Sequence, residues 1–190
     1  MNLEICILAG GLSTRLGRDK ARLKLGGHTM LARIRCIALE LGCPVRVIRR
    51  DVVARCGPLG GIITALQTTR ADAVLFLACD MPLVTAALLH RIVRASRHGV
   101  RSACAAQSGR VGFPLLLPAT TRPTVEAQWQ NGELSLQALA RKTEARRVVV
   151  SVRRPELFNV NTPEDAALAR QHLRALGKGG LAPVCSAGGG

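Results

Sequence analysis

Six short apolar runs punctuate the chain, at residues 5–8, 45–48, 74–78, 102–106, 113–117 and 148–152. Each is bounded by turn-forming or charged residues, which predicts strands. Longer stretches with helical spacing lie between them, at 30–41, 59–68, 86–96, 135–141 and 163–176, and predict helices. Alternating strands and helices imply βαβ units, hence an α/β fold of three layers, with helices on both faces of a mostly parallel sheet. Ligands of such sheets bind at the carboxyl ends of the strands. The spacing predicts one domain over residues 1–176. Residues 177–190 are rich in glycine, show no periodicity and read as a flexible tail. No internal repeat is visible.

Charge first suggests a different picture. The 190 residues hold 27 Lys+Arg against 12 Asp+Glu, a formal net charge of +15. Hydrophobic residues nevertheless make up 48% of the chain, which supplies a core and excludes disorder driven by charge. Aromatics are only 2%, so the stacking platforms of single-strand nucleic-acid binders are nearly absent, and no nucleic acid is expected as partner. The positive field is read instead as attracting polyphosphates. Cysteines 6, 36, 43, 56, 79, 104 and 185 contain no CxxC pair and no zinc spacing, which reads as reduced thiols in the cytoplasm. No stretch reaches the roughly 18 to 20 apolar residues of a membrane span, and the first residues lack a basic leader or cleavage site. No membrane association is expected. His28, His90, His98 and His172 show no relay spacing, and Cys79, inside an apolar strand, reads as inert core.

The strongest chemical signal is the run Leu8-Ala9-Gly10-Gly11-Leu12-Ser13-Thr14-Arg15-Leu16-Gly17-Arg18-Asp19-Lys20. Glycines just after a strand let backbone N–H groups approach phosphates, and Arg15 and Lys20 add charge where a triphosphate would lie. The spacing fits neither a Walker loop nor a dinucleotide fingerprint. Asp80 ends the apolar run 74–79 and precedes Met81-Pro82, which puts a carboxylate at a strand's carboxyl edge, a natural Mg²⁺ position. Gly57-Pro58-Leu59-Gly60-Gly61 combines a turn with glycines ahead of a helix, so that backbone can pass close to a flat base. Asp51 lies among Arg49, Arg50 and Arg55, where a surface ion pair explains it equally well. In Asn159-Val160-Asn161-Thr162-Pro163-Glu164-Asp165, Thr162 is a good N-cap, Pro163 suits the first helical position and Asp165 completes a capping box. The two amides are read as projecting to different sides of this segment.

These residues carry a family resemblance. Leu-Ala-Gly-Gly-x-Ser-x-Arg-x-Gly-x-Asp-Lys at 8–20 resembles the opening signature of the molybdenum cofactor guanylyltransferases, nucleotidyltransferases with a Rossmann-like sheet. Asp51 with Gly-Pro-Leu-Gly-Gly, the strand ending in Cys-Asp-x-Pro at 79–82, and Phe-x-Asn-Val-Asn-Thr-Pro-Glu-Asp at 158–165 are similar to three further family segments, in the same order. The resemblance implies transfer of GMP from GTP to the terminal phosphate of molybdopterin or molybdenum-molybdopterin, with pyrophosphate leaving. It implies Arg15, Lys20 and Asp80 as catalytic residues. It implies nucleotide contacts from Leu8, Ala9, Gly10, Gly11, Lys20, Asp51, Gly57, Pro58, Leu59, Gly60 and Asp80, and Mg²⁺ on Asp80. Asn161 is the candidate second metal ligand, and Asn159 with Asn161 the candidate acceptor contact. Transient contact with molybdenum-insertion proteins and molybdoenzyme chaperones is the further partner expectation.

The chain departs from the family pattern between its first helix and Asp51, where only residues 44–50 intervene and about one strand with its connection is missing. Leu16 stands where methionine is common, and Phe113 where a His-Pro pair is frequent. Two alternatives follow. One is a cytidylyltransferase of the same fold acting on molybdopterin or another phosphorylated acceptor; those relatives tend to open with Ala-Ala-Gly and to carry Asp in place of the two asparagines. The other is a GTP-binding module without turnover.

Overall fold

A computed structural model describes residues 2–10, 20–49 and 57–177. Its main sheet has six strands, β1 (Leu3–Leu8), β4 (Val45–Ile48), β5 (Ala73–Ala78), β6 (Ala103–Gln107), β7 (Arg110–Pro118) and β8 (Arg146–Val149), in the order β4-β1-β5-β7-β6-β8. The pairs β1–β4, β1–β5 and β6–β8 are parallel, whereas β7 runs antiparallel to both β5 and β6. All six predicted apolar runs are therefore strands of one mostly parallel sheet. The last of them ends at Val149 rather than residue 152, and Val152 is exposed.

Local chemistry explains the one antiparallel strand. Ser108 and Gly109 both adopt positive φ, 51° and 76°, the two-residue turn whose twist suits a tight hairpin between β6 and β7. The ladder then slips between Cys104 and Ala105, where Cys104 faces Leu115 but Ala105 faces Gly112. The residues skipped opposite that step are Phe113 and Pro114, and a proline has no N–H to give to a ladder.

Helices cover both faces. On one side α1 (Met30–Leu39) and α3 (Ala86–Ala95) pack Ile34, Ile37, Leu88, Leu89 and Ile92 against Ile5, Ile7, Leu75 and Leu77 of the sheet. On the other, α2 (Pro58–Thr68), α4 (Arg122–Gln130) and α5 (Leu136–Lys142) surround Cys6, Phe76, Leu115 and Leu117. Alternate residues of β1 and β5 thus serve opposite cores, the period-two rule for a strand buried on both faces. A third, smaller core joins Leu25, Met30 and Val160 to Ala166 and Ala169 of α6 (Pro163–Gly177). Leu25 comes from a short hairpin, β2 (Lys24–Leu25) with β3 (His28–Thr29), whose turn glycines 26 and 27 sit at φ 57° and 79°. Neither this hairpin nor α4 is predicted by the apolar pattern. The glycine-rich tail from residue 178 onward lies outside the described residues.

The cysteines correct one expectation. Cys6, Cys43 and Cys104 are free thiols, but Cys36 in α1 is disulfide-bonded. Sequence spacing reveals close motifs such as CxxC and is silent on pairings between distant positions. Burial, reinforced by the Glu4 charge, pushes the Cys6 thiol up to about 12, and burial pushes Cys104 up to about 11, so both behave as small apolar core residues. No helix among the described residues is long and apolar enough to cross a membrane.

Candidate active site

Three parallel strands end level with one another. Leu8 is paired with Ile48 on one side and with Ala78 on the other. The ladder runs one step further through Ala9 N–H to the Ile48 carbonyl (2.8 Å) and Cys79 N–H to the Leu8 carbonyl (3.1 Å). The glycine loop and the Asp80 turn therefore leave adjacent strands at the same height, at the edge where a βαβ sheet binds ligands. Leu8 is 9% exposed with its side chain in the core, so only its backbone can meet a ligand. The Ala9 N–H donates to the Ile48 carbonyl, which leaves its carbonyl and methyl group for a ligand, and Gly10 is exposed at the start of the loop. Gly11, Arg15 and Asp51 lie outside the described residues, as does the side chain of Lys20.

α2 presents its N-terminus without a side-chain cap. Its N-cap, Gly57, has φ 56°, a conformation that favours glycine, and Pro58 occupies the first turn. Gly57 has no side chain to accept from the first backbone N–H groups of α2, and the helix dipole favours negative charge there. Leu59 is wholly buried and can contribute only backbone, while Gly57 and Pro58 are exposed. Gly60 and Gly61 are buried within the helix, and Thr64 Oγ1 donates to the Gly60 carbonyl (2.8 Å).

Asp80 sits in a tight turn whose neighbours hold it in place. Cys79, Met81, Leu83 and Val84 are all buried, and Met81 N–H donates to the Ala78 carbonyl (3.3 Å) and Val84 N–H to the Met81 carbonyl (3.3 Å). Asp80 itself is half-buried. A further bond, Val160 N–H to the Asp80 carbonyl (2.8 Å), brings the Asn159–Asn161 segment alongside this turn, 80 residues away in sequence. Val160 is fully buried, whereas Asn159 is exposed and Asn161 half-buried. Asn159 and Asn161 flank the inward Val160, and residues two apart share a side wherever the backbone is extended. Asp80 and Asn161, on two loops tied by that backbone bond, carry oxygen donors of the hard kind that Mg²⁺ takes.

The capping box read at the start of α6 is present. Asp165 Oδ2 accepts from the N–H of Asn161 and of Thr162 (2.9 Å each), and Thr162 Oγ1 accepts from Asp165 N–H (3.1 Å). Asp165→Ala removes the acceptor of two N–H groups, with an expected loss of about 1–2 kcal/mol in a urea titration; an unchanged midpoint would contradict this geometry.

Two side chains at the site carry no motif and escape a reading of the sequence. Arg33 of α1 donates from Nε to the Pro82 carbonyl (2.9 Å), and burial lowers its pKa from the usual arginine value. Glu156 is 5% exposed, in the turn Pro155–Leu157. A charged residue between Pro155 and Leu157, two positions before Phe158, is the only sequence cue to it. Arg146, Arg147, Arg153 and Arg154 are exposed, and His172 rests beside the ring of Phe158 with centroids 6.2 Å apart.

Residues 5–148 match the family described as the MobA-like NTP transferase domain. A probable molybdenum cofactor guanylyltransferase of Opitutus terrae is 34% identical, over 84% of this chain and 90% of its own. A molybdenum cofactor guanylyltransferase of Pseudomonas entomophila is 32% identical, over 85% of this chain and 94% of its own. Among solved structures, molybdopterin-guanine dinucleotide biosynthesis protein A of Archaeoglobus fulgidus superposes with TM-score 0.67 at 16% identity, covering 90% of this chain and 99% of that one. A 2-C-methyl-D-erythritol 4-phosphate cytidylyltransferase of Thermus thermophilus gives TM-score 0.67 at 17% identity, covering 92% and 100%. At such identities the two structures speak to the shared fold alone.

Proposed function

Since the chain belongs to the MobA-like NTP transferase domain family, a nucleotidyltransferase family, we propose that it transfers GMP from GTP to the terminal phosphate of molybdopterin or molybdenum-molybdopterin. The observation that carries this reading is the bond from Val160 to Asp80 at the strand ends, which sets an Asp and two Asn beside the start of a glycine loop. The guanine preference is supported by the names of the relatives and by the Leu-Ala-Gly-Gly opening.

No protein nucleophile is required. The acceptor's phosphate monoester is itself the nucleophile: its oxygen forms the bond to the α-phosphorus of GTP, the bond from that phosphorus to the bridging oxygen breaks, and pyrophosphate leaves with the electron pair. The protein's contribution is orientation and electrostatics. Gly10 and Gly11 backbone, Arg15 and Lys20 would hold the β- and γ-phosphates, and the uncapped start of α2 with Gly57 and Pro58 would lie against the ribose and base. Asp80, with Asn161, would hold Mg²⁺, which when bound supplies positive charge against the triphosphate oxygens. Asn159, exposed beside this segment, would meet the acceptor with Asn161. Asp51 would contact the nucleotide. A cytoplasmic location goes with this reading, since that is where a cell keeps its GTP.

The test is a nucleotide panel. Purified protein with Mg²⁺ should release pyrophosphate from GTP only when molybdopterin is added, with CTP and ATP at least about tenfold slower in kcat/KM. Equal turnover with CTP would overturn the base assignment in favour of cytidylyl transfer. No turnover with any nucleotide, while GTP still binds, would leave a binding module.

A further inference from the structure

We propose that Glu156 is a positioning residue for Asp80, acting through Thr85; the inference rests on the reading of Asp80 as the metal-binding carboxylate. The Asp80 turn and the asparagine segment run antiparallel to each other and are tied at both ends. At one end Val160 N–H donates to the Asp80 carbonyl. At the other, Thr85 Oγ1 donates to Glu156 Oε1. Both ends are tied across nearly equal lengths of chain, from Asp80 to Thr85 and from Val160 back to Glu156, so the two segments lie in register.

Thr85 is held by two bonds. It is the N-cap of α3, and while its hydroxyl donates to Glu156 it accepts from Leu88 N–H (3.1 Å). Its hydroxyl orientation is thus fixed from both directions, and with it the point where the Asp80 turn enters a rigid helix. Midway along the turn Arg33 Nε donates to the Pro82 carbonyl. Loss of Glu156 would free the 155–161 segment from the far end of the turn and so loosen the distance between Asp80 and Asn161.

The state of Glu156 marks it as more than a packing residue. It is a carboxylate 5% exposed, whose second oxygen is buried with no hydrogen-bond partner among the described residues and lies 4.0 Å from Arg154 Nη1, too far for a hydrogen bond. Burying a carboxylate so poorly paired costs stability, and an apolar residue of similar size would be cheaper in a purely structural role. Such costs are retained where a group orients another that does chemistry.

The experiment measures Mn²⁺ binding in the presence of GTP by electron paramagnetic resonance, and the Mg²⁺ dependence of turnover, for wild type, Glu156→Ala, Glu156→Gln, Thr85→Ser and Asp80→Ala. Glu156→Ala is expected to weaken Mn²⁺ binding about tenfold and to raise the Mg²⁺ concentration for half-maximal rate by a similar factor, with kcat changed less. Glu156→Gln, which keeps an oxygen for Thr85, and Thr85→Ser, which keeps the hydroxyl, should stay within about threefold of wild type. Should Glu156→Ala lower only the melting temperature and leave both metal readouts unchanged, the residue is structural and the inference fails. A Gln variant as impaired as Ala would also overturn it, because charge and not the bond to Thr85 would then matter. If Asp80→Ala binds Mn²⁺ as wild type does, it is the assignment of Asp80 that fails.

Discussion

Replacing Asp80 with Ala is expected to lower guanylyl transfer by about 10³-fold while leaving the thermal unfolding midpoint within a few degrees of wild type. The size follows from what the carboxylate is asked to do. Charge spreads over the phosphoryl oxygens in the transition state, and removal of one preorganised electrostatic partner costs about 10² to 10³ in rate. With Asp80 proposed to hold Mg²⁺, its loss belongs at the upper end, because the cation's contribution would disappear with it. The stability side follows from position. Asp80 is half-buried at a sheet edge, and the turn around it is fixed by the buried side chains of Met81, Leu83 and Val84 and by backbone bonds that do not involve its carboxylate. Asp80→Asn sharpens the test: the shape and one oxygen remain but the negative charge is gone, so its rate should fall nearly as far as that of Ala. Pyrophosphate release from GTP with molybdopterin acceptor, across a Mg²⁺ titration, is the measurement. Normal activity in either variant would remove Asp80 from the mechanism.

The strands of this fold are legible in the sequence because they are buried on both faces. Runs such as Ala-Val-Leu-Phe-Leu-Ala in β5 need no alternation to be recognised, since Phe76 serves one core and Leu75 and Leu77 the other. The antiparallel placement of β7 is not legible from such runs. It depends on a two-residue turn at Ser108-Gly109, and Ser-Gly is a weaker hairpin signal than Asn-Gly. α4 is missed for a related reason: Val125 is its only fully buried apolar residue, and the other buried member, Gln128, is polar and works by donating to the carbonyls of Glu133 and Ser135. Within the candidate site, Asp80 announces itself by ending an apolar strand ahead of a proline. The tie between Asp80 and Val160 does not, because a backbone bond across 80 residues leaves no trace in residue identity. The same holds for Arg33, whose partner is a carbonyl, and for Glu156, whose partner Thr85 is 71 residues away.

The second large effect is on stability and separates it from chemistry on the same strand. Phe76→Ala is expected to destabilise the protein by about 3–5 kcal/mol, a large share of the roughly 5–15 kcal/mol that holds a domain of this size together. Phe76 is wholly buried, paired laterally with Cys6 of β1 and Leu115 of β7, and roofed by α2 with Ile62 and Ile63. Hydrogen-bonded strands flank it on both sides, so the surroundings cannot close over the space a phenyl ring leaves, and the cavity term adds in full to the lost burial. Phe76→Leu keeps most of the volume and should cost about 1–2 kcal/mol. In urea both variants should unfold at a lower midpoint with an unchanged slope, since the surface exposed on unfolding is nearly the same. Asp80 lies four residues along the same chain, yet the register of β5 against β1 and β7 is set by backbone bonds that Phe76→Leu leaves in place. That variant, assayed well below its midpoint, should therefore keep a kcat within about twofold of wild type, the inverse of the Asp80→Ala result. A Phe76→Ala variant costing less than about 1 kcal/mol would mean that the core beneath the site is not packed as described.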